Sequence, residues 1–405
     1  MKSNYSELGK YIREVNERNS DLLITNLLGV SMEKTFIPSV ANLNGVDLSI
    51  YKVLRKEQLA CKLMSVGRDE KLPVDLYNDE KPAIISSAYY VFEPSDKNEL
   101  LPEYLMMWLC RPENDRYIGY ISGGDVRGGI SWETFCRTPI KVPSIEKQKE
   151  IVKEYQVIQN RIAINQQLIQ KLEETAQAIY KEWFMDFEFP DENGRPYKSN
   201  GGEMVWCEEL EKEIPEGWEV KPFTKIIKLS GGGTPDTNKE KYWDGNIPFF
   251  TPADVVSSYY SIQTEKNISE LGLKNSSTKL YPFNTVFVTA RGTVGAISIA
   301  GCEMSMNQSC YAITGMNGMN QYFAHQITLS AIEKLKNEAV GAVFAALVTK
   351  DFESQILIEP DEQSVKVFGL KIKPIYDYIL NTVVLNQKLT ELKDLLLSKL
   401  ATIKD

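Results

Sequence analysis

The stretch Gln170-Lys171-Leu172-Glu173-Glu174 returns as Gln387-Lys388-Leu389-Thr390-Glu391, 217 residues further along the chain. The same offset, without a gap, relates seven landmarks before it: Gly124, Ile130, Phe135, Ile140, Pro143, Ile158 and Ile162 match Gly341, Leu347, Phe352, Leu357, Pro360, Ile375 and Ile379. A duplication of this size predicts an internal repeat with pseudo-two-fold symmetry, which usually holds two similar objects at once.

Each copy contains a long helical pattern with an apolar seam at heptad spacing. The predicted seam positions are Ile151, Ile158, Ile162, Leu172 and Ile179 in the first copy and Phe368, Ile375, Ile379, Leu389 and Leu396 in the second. Roughly 35 residues per helix span on the order of 50 Å. A helix of that length with a one-sided seam needs an apolar partner.

The partner that we expect is the other repeat, in an antiparallel, coiled-coil-like pair. Asn165 and Asn386 interrupt the two seams and would help to fix the register of such a pair. Pro143 and Pro360 precede the two helices and suit helix starts. The alternative is that each helix packs back on its own domain.

These patterns predict an α+β protein with two α/β domains separated by two long helices. The turn-rich segment Pro190-Asp191-Glu192-Asn193-Gly194-Arg195-Pro196 indicates a linker between the repeats. The predicted segments are a first domain at 1–143, a first helix at 144–185, a linker at 186–216, a second domain at 217–360 and a second helix at 361–405.

Composition excludes several classes of protein. The chain has 405 residues, of which 43% are hydrophobic and 25% charged, as in ordinary globular proteins. No apolar run approaches 18 residues and no basic-then-apolar leader begins the chain, which argues against a membrane span or a signal peptide. Six scattered cysteines without a CxxC pair indicate reduced thiols and a cytoplasmic location, and argue against structural zinc.

The sequence offers no catalytic centre and no metal site. The only histidine, His325, lies in an apolar helical stretch, which favours a structural role. No phosphate-loop lysine and no Asn-Pro-Pro-aromatic tetrapeptide is present, so neither a helicase nor an adenine methyltransferase centre is expected. A nuclease pattern can be forced from Asp191, Glu219 and Lys221, but it falls in and beside the linker.

The second domain carries the richest local motifs. They are Gly231-Gly232-Gly233-Thr234-Pro235 with Trp243 and Thr251-Pro252-Ala253-Asp254, then Ala290-Arg291-Gly292-Thr293-Val294-Gly295 with Asn307-Gln308. Glycines let backbone amides approach phosphates, and Arg, Asn and Gln match base edges. We expect DNA contacts from Gly232, Thr234, Trp243, Arg291, Thr293, Asn307 and Gln308. The alternative is that the glycines serve tight turns.

The first domain offers a weaker set, namely Lys34, Arg68 and Arg127. Arg68 and Arg127 stand beside glycines, as Arg291 does. Each of the three residues taken singly is also compatible with an ordinary surface side chain. The net charge of −9 opposes nucleic-acid binding unless the basic residues are clustered or a partner supplies the positive charge.

In this order and duplication, the motifs resemble the specificity (S) subunit of type I restriction-modification systems. The resemblance rests on GGTP (232–235), ARGTVG (290–295), MNQSCYA (306–312), IPEGWE (214–219) and the two helical tails. The first domain lacks GGTP and RGTVG counterparts, so it looks like a different subtype of target-recognition domain.

The resemblance implies a non-catalytic DNA-recognition subunit. Each target-recognition domain would read one half of a bipartite, asymmetric site in double-stranded DNA. The helices would set the spacer and dock two methyltransferase (M) subunits, and two motor-nuclease (R) subunits would join. S-adenosylmethionine, ATP and magnesium would bind those partners, and no cofactor would bind this chain.

Other classes stay open at this level. An acidic DNA mimic that blocks restriction would explain the net charge, and a stand-alone DNA-binding protein would explain the motifs. A coiled-coil scaffold without a DNA role would leave the glycine- and arginine-rich turns of the second domain unexplained.

Overall fold

Residues 5–39, 45–64, 66–123, 128–338 and 346–403 are described by the computed structural model. They form an α+β chain with two compact units. The first unit comprises Met1–Ile162 and Lys388–Asp405, and the second comprises Ala163–Gln387. Both long helices contribute residues to both units, so the five segments proposed from the sequence stay a prediction.

The first unit contains ten strands and four short helices among its described residues, before the first long helix. The strands are β1 Ser6–Glu7, β2 Ile12–Val15, β3 Leu27–Val30, β4 Phe36–Pro38, β5 Lys52–Leu54, β6 Leu59–Cys61, β7 Val74–Leu76, β8 Ala83–Ile85, β9 Tyr90–Pro94 and β10 Pro139–Ile140. The helices are α1 Val66–Asp69, α2 Pro102–Leu109, α3 Pro112–Ile121 and α4 Trp132–Cys136, and the long helix is α5 Ile145–Phe184.

Two four-stranded sheets organise the first unit, in the orders β2-β9-β6-β7 and β4-β3-β8-β5. Every residue of β6 and β8 is buried, which explains why these strands are uninterrupted apolar runs. The main core gathers the large side chains of Phe92, Tyr104, Trp108 and Phe135. The pair β1–β10 brings the start of the unit to the chain just before α5.

The second unit has twelve strands and five helices among its described residues. The strands are β11 Met204–Cys207, β12 Lys212–Pro215, β13 Glu219–Pro222, β14 Ile227–Gly231, β15 Trp243–Phe250, β16 Tyr260–Ser261, β17 Asn267–Ile268, β18 Val286–Thr289, β19 Ile297–Ala300, β20 Ser305–Met306, β21 Cys310–Gly315 and β22 Ile356–Glu359. The helices are α6 Phe223–Ile226, α7 Glu270–Lys274, α8 Gln321–Glu338, α9 Thr349–Ser354 and the long α10 Glu362–Lys399.

A five-stranded sheet of order β14-β21-β18-β19-β16 forms the centre of the second unit, beside a three-stranded sheet β17-β15-β20. Two antiparallel pairs, β11–β12 and β13–β22, complete it. Helix α8 covers the sheet with Phe323, Ala324 and Ile327, which are almost fully buried. The sheet is therefore packed against α8 on this face, and its loops extend from a buried core.

Within the second unit, the end of α5 runs antiparallel to the start of α10. The side-chain amide of Asn165, 2% exposed, donates a hydrogen bond to Asn386 Oδ1 at 2.7 Å. Eighteen residues later in α5, the Trp183 ring lies 5.7 Å from that of Phe368. Phe184 also packs on Phe323 of α8, 4.9 Å between ring centroids. In this unit the helices therefore contact each other and their own domain.

The first unit contains the other halves of the long helices. Ile151, Val152 and Tyr155 of α5 belong to the same core cluster as Leu397 of α10 and Leu400 just after it. All ten seam residues expected from the heptads are buried or half-buried: Ile151, Ile158, Ile162, Leu172, Ile179, Phe368, Ile375, Ile379, Leu389 and Leu396.

The seam pattern missed Tyr376, which is fully buried in the second unit. Its hydroxyl lies 2.7 Å from His325 Nδ1 and accepts a hydrogen bond of 2.7 Å from the Gln326 side chain. Burial lowers the pKa of His325 to about 3, so its ring stays neutral at physiological pH. The position and contacts of His325 agree with the structural role expected for it.

Within the described ranges, the helices are all too short or too polar to cross a membrane.

Candidate DNA interface

Four loops of the second unit meet at one edge of its sheets. In the strand register Gly231, the last residue of β14, lies opposite Tyr311, and Thr289, the last residue of β18, lies opposite Cys310. Strand β15 ends beside the parallel strand β20. We call the loops that follow these strand ends the second loop edge; they are 231–235, 251–254, 290–296 and 307–309.

The Arg291 loop is held from several sides. The amide of Ala290 donates to the Ser309 carbonyl at 2.7 Å, and the amide of Gly295 closes the loop on the Thr289 carbonyl at 2.8 Å. Gly292 has φ +77°, a left-handed conformation that disfavours side chains with a Cβ. The glycines of this motif therefore shape a closed turn, as the turn interpretation expected.

Arg291 and Thr293 project from this turn and are exposed. No other described residue lies within hydrogen-bond or ion-pair distance of the Arg291 guanidinium. A backbone held by hydrogen bonds, with a guanidinium that pairs with no described residue, suits bidentate recognition, because the loop loses little entropy on binding.

The GGTP turn and the Asn307-Gln308 turn form a second pair within this edge. The Gly233 amide donates to the Met306 carbonyl at 3.1 Å, and the Thr234 hydroxyl donates to the Gln308 amide oxygen. A Cβ on Gly232 would lie 2.1 Å from the Asn307 carbonyl oxygen, so only glycine fits there. The side-chain oxygen of Asn307 accepts from the Ser309 amide at 2.9 Å. The structure therefore brings six of the seven expected second-domain residues to one edge.

The seventh residue, Trp243, lies elsewhere. It begins β15, at the opposite end from the loop edge, and its indole N–H donates to the Asp236 carbonyl at 3.2 Å. Its ring packs edge-on against Phe249, 5.4 Å between centroids. Trp243 therefore fixes the chain that follows the GGTP turn.

The Thr251-x-x-Asp254 motif also has a structural role. The Asp254 carboxylate accepts from the Thr251 amide at 2.8 Å and from the Thr251 hydroxyl at 2.7 Å, in a capping box. Its other oxygen accepts from the Glu265 amide at 2.6 Å. Both carboxylate oxygens of Asp254 thus accept hydrogen bonds from within this domain. Pro252 packs beside Gly292, and a Cβ built on Gly292 would lie 3.5 Å from Pro252 Cβ.

The first unit presents an edge built from corresponding strand ends. Strand β6 ends at Cys61 opposite Tyr90, the first residue of β9, and β2 ends at Val15 opposite Val91. The loops that follow there are 62–73, between β6 and β7, and 86–89, before β9. We call them the first loop edge.

Arg68 lies in the first loop edge, within the short helix α1. Its side chain is 67% exposed and pairs with Asp69 at 2.7 Å. The pairing raises the pKa of the Arg68 guanidinium and lowers that of Asp69. The Arg68 side chain is exposed and that of Asp69 is half-buried at 26%, so solvent screens the pair and its contribution to stability is small. Arg127 lies outside the described residues, as do the repeat landmarks Gly124 and Gly341.

Lys34 has a different environment from the one expected of a DNA contact. It lies in the turn between β3 and β4, and its side chain is 10% exposed. The ammonium donates to Asp115 Oδ1 at 2.8 Å and to the Leu109 carbonyl at 2.7 Å. Asp115 Oδ1 also accepts from the Leu72 amide at 3.1 Å, at the base of the 62–73 loop. Lys34 thus braces the loop that carries Arg68.

Sequence reasoning missed a second bracing lysine, Lys336. Its ammonium donates to the Gly295 carbonyl at 2.8 Å and so ties the end of α8 to the Arg291 loop. The only sequence signal for it is a lysine in the last turn of an amphipathic helix, which is common in helices of any function. No group of three or more His, Cys, Asp or Glu side chains in the described ranges is arranged to hold a metal ion.

Comparison with known proteins gives the family. A family model described as the type I restriction modification DNA specificity domain matches residues 75–174 and 215–391. The two matches together span more than half of the chain and include both halves of the repeat. The chain belongs to this family of type I restriction-modification specificity proteins.

Individual relatives agree. The chain is 25% identical over 415 aligned residues to the type I restriction enzyme HindI specificity subunit of Haemophilus influenzae, covering 89% of each. It is 26% identical to the MjaIX specificity subunit of Methanocaldococcus jannaschii, covering 75% of this chain and 69% of that one. The crystal structure of the type I S subunit from M. genitalium aligns with a TM-score of 0.53 at 13% identity, covering 99% and 96% of the two chains. At that identity the structural likeness concerns the fold alone.

Proposed function

We propose that this chain is the DNA-specificity subunit of a type I restriction-modification complex, and that each unit reads one half of a bipartite, asymmetric site. The observation that carries the proposal is the second loop edge. There Arg291 projects without a described partner from a turn that hydrogen bonds hold on several sides. Such a guanidinium suits the O6 and N7 acceptors of guanine in the major groove.

The remaining residues of that edge have complementary chemistry. Gln308 and Asn307 carry side-chain amides, which pair with base edges, and Thr293 carries an exposed hydroxyl suited to a phosphate or a base. Arg68 is the corresponding cation of the first loop edge. Trp243 and Lys34 support the loops and are not proposed to contact DNA directly.

The acidic net charge does not oppose this function, because it is unevenly distributed. The 186–216 segment holds ten acidic and three basic residues, so seven of the nine net negative charges lie in it. The loop edges lie outside this segment. Partner subunits that also bind the DNA would share the remaining phosphate contacts.

The two long helices are the proposed spacer and docking elements. We assign to them an antiparallel, coiled-coil-like pairing of the repeats, which sets the distance between half-sites and offers surfaces to two methyltransferase subunits. Inserting one heptad into each helix should change the spacer length and leave both half-site sequences unaltered. A changed half-site sequence in that variant would contradict the assignment.

The chain is a recognition subunit and not the catalytic one, as its relatives are named specificity subunits of restriction enzymes. Its proposed partners are DNA, two methyltransferase subunits and two motor-nuclease subunits, in the cytoplasm. S-adenosylmethionine, ATP and magnesium would act on those partners.

The test is to co-express the chain with its methyltransferase subunit and to map adenine methylation across a genome by single-molecule sequencing. A single motif of two short half-sites with a fixed gap is the expected result. A complex that assembles and leaves no methylated motif would overturn the proposal and favour a DNA mimic. Failure to assemble would remove the docking role of the helices.

A further inference from the structure

The two loop edges can be aligned residue by residue, although their sequences differ. The sheets share the order β2-β9-β6-β7 and β14-β21-β18-β19, and each neighbouring pair in both is antiparallel. Strand β6 therefore corresponds to β18, and β7 to β19. The loop 62–73 is the counterpart of the Arg291 loop.

One hydrogen bond fixes the alignment within these loops. The amide of Ile130 donates to the Leu63 carbonyl at 3.1 Å, and the amide of Leu347 donates to the Ala290 carbonyl at 2.9 Å. Ile130 and Leu347 are repeat partners, 217 residues apart. Leu63 therefore occupies the place of Ala290, and the next residue of each loop is Met64 in the first unit and Arg291 in the second.

The base of each loop gives the same alignment. The Lys62 amide donates to the Pro73 carbonyl at 3.0 Å, as the Thr289 amide does to the Ala296 carbonyl at 2.9 Å. The first loop is four residues longer between these bonds, a length equal to that of the inserted helix α1. The insertion lies beyond Met64, so it leaves the correspondence of Met64 with Arg291 intact.

Met64 is the most exposed of the described methionines. The residue is 59% exposed, against 48% for Met185 and 38% for Met316, whereas Met107, Met304 and Met306 are almost fully buried. Leaving an apolar side chain in water at a loop tip forgoes the stabilisation that burial provides. An exposed apolar residue on a surface that faces a ligand gains that stabilisation on binding.

We propose that Met64 is a specificity-determining residue of the first unit, which contacts the methyl-bearing edge of a thymine where the second unit uses Arg291 for guanine. The proposal rests on the proposed function of the chain. A thymine C5-methyl is the apolar feature of the major groove, and side chains without hydrogen-bonding groups are suited to it. The two half-sites then differ at corresponding positions because the two loops differ in one side chain.

The experiment is a reciprocal exchange in the intact complex, read by genome-wide adenine methylation. Met64→Arg should move the preference at one base pair of one half-site from thymine to guanine by about 5- to 150-fold. Arg291→Met should make the opposite change in the other half-site. Met64→Leu should keep the wild-type preference, and Met185→Arg, which alters another exposed methionine, should change neither half-site.

The outcomes separate the two proposals. If the wild-type complex yields no bipartite motif, the proposed function fails. If the wild-type motif is present and folded Met64→Arg and Met64→Ala complexes both keep it unaltered, the role of Met64 is overturned. A change in the half-site that Arg291→Met also alters would overturn the assignment of the two loops to separate half-sites.

Discussion

The two units share a four-stranded antiparallel sheet of the same strand order, and they differ in the side chains of the loops at its edge. In each unit, a backbone amide near the start donates a hydrogen bond to the residue just before the last strand that precedes the long helix. The Leu8 amide donates to the Thr138 carbonyl at 2.9 Å, and the Phe223 amide donates to the Gln355 carbonyl at 2.8 Å. The acceptors are again 217 residues apart. Backbone pairing tolerates many side chains, so the scaffold persists while the exposed loops diverge.

Both units also stabilise the compared loop with a lysine, although the lysines are unrelated in position. Lys336 binds a carbonyl of the Arg291 loop directly, whereas Lys34 acts through Asp115 on Leu72. A lysine near a glycine-rich loop is therefore not by itself a sign of phosphate binding in this chain.

The largest difference between the units should appear on truncating the repeat partners Ile151 and Phe368. Phe368 is fully buried among aromatic rings, and Phe368→Ala should lower the free energy of unfolding by about 3–5 kcal/mol. Ile151 is 8% exposed, and Ile151→Ala should cost about 2 kcal/mol. Hydrogen exchange by mass spectrometry should localise each loss to its own unit. A Phe368→Ala effect confined to the first unit would contradict this description of the cores.

The next effect concerns the close approach of two turns in the second loop edge. Gly232→Ala places a Cβ 2.1 Å from the Asn307 oxygen, which should destabilise the second loop edge by about 2 kcal/mol and so weaken binding at the second half-site. Gly29→Ala in the first unit is the matched control, because its nearest neighbour would be the Tyr89 hydroxyl at 3.6 Å. Competition binding with each half-site mutated measures both. Equal effects of the two variants would show that the close contact does not matter.

Removing the projecting guanidinium should affect a single base pair. Arg291→Ala is expected to lose about 1–3 kcal/mol of discrimination at one position of the second half-site. Thermal stability should change little, because no described residue pairs with this side chain. Loss of discrimination spread over both half-sites would indicate a general electrostatic role instead.

Replacing Lys34 distinguishes a residue that stabilises a loop from one that contacts a DNA phosphate. Lys34→Met should destabilise the first unit by about 1–2 kcal/mol, because Asp115 loses its charged donor in a mostly buried site. The salt dependence of DNA binding should stay the same. A phosphate-binding lysine would instead reduce the slope of log affinity against log salt by about one, and that result would restore Lys34 as a contact.

The last expected effect is a pH dependence of the stability of the second unit. Burial raises the pKa of Glu173, whose carboxylate accepts from the Tyr259 amide, from 4.5 to about 7. The folded unit keeps a proton that the unfolded chain releases, so the free energy of unfolding should fall as pH rises between those values and then level off. Denaturation at about pH 5 and about pH 8 measures it, and Glu173→Gln should flatten the curve. An unchanged slope in that variant would assign the effect to another group.

Much of this architecture could be predicted from the sequence. Two helices of 40 and 38 residues lie where the heptads place them, because an apolar period near 3.6 residues, sustained over many turns, is typical of an amphipathic helix. Asn165 meets Asn386, as expected for polar residues within a shared seam. The GGTP, ARGTVG and MNQSCYA motifs converge because each follows or precedes a strand of the five-stranded sheet.

The expectations for the first unit were weaker for a physical reason. Its loop lacks the glycine pattern of the second, and Met64 carries no sequence signal, because a single methionine is compatible with a core or a surface. Residue type alone predicts DNA contacts for Trp243 and Lys34, and only their hydrogen bonds, to Asp236 and to Asp115, indicate that they support nearby loops.

The sequence by itself determined the repeat, the long helices and the family, because periodicity and spacing are properties of a linear chain. Only the tertiary structure decided which loops are neighbours, which cations are already paired and which residue of one unit corresponds to Arg291 of the other. Those relations depend on strand register and hydrogen bonds between residues far apart in the chain, such as Ile130 with Leu63 and Leu347 with Ala290. Local patterns do not contain that information.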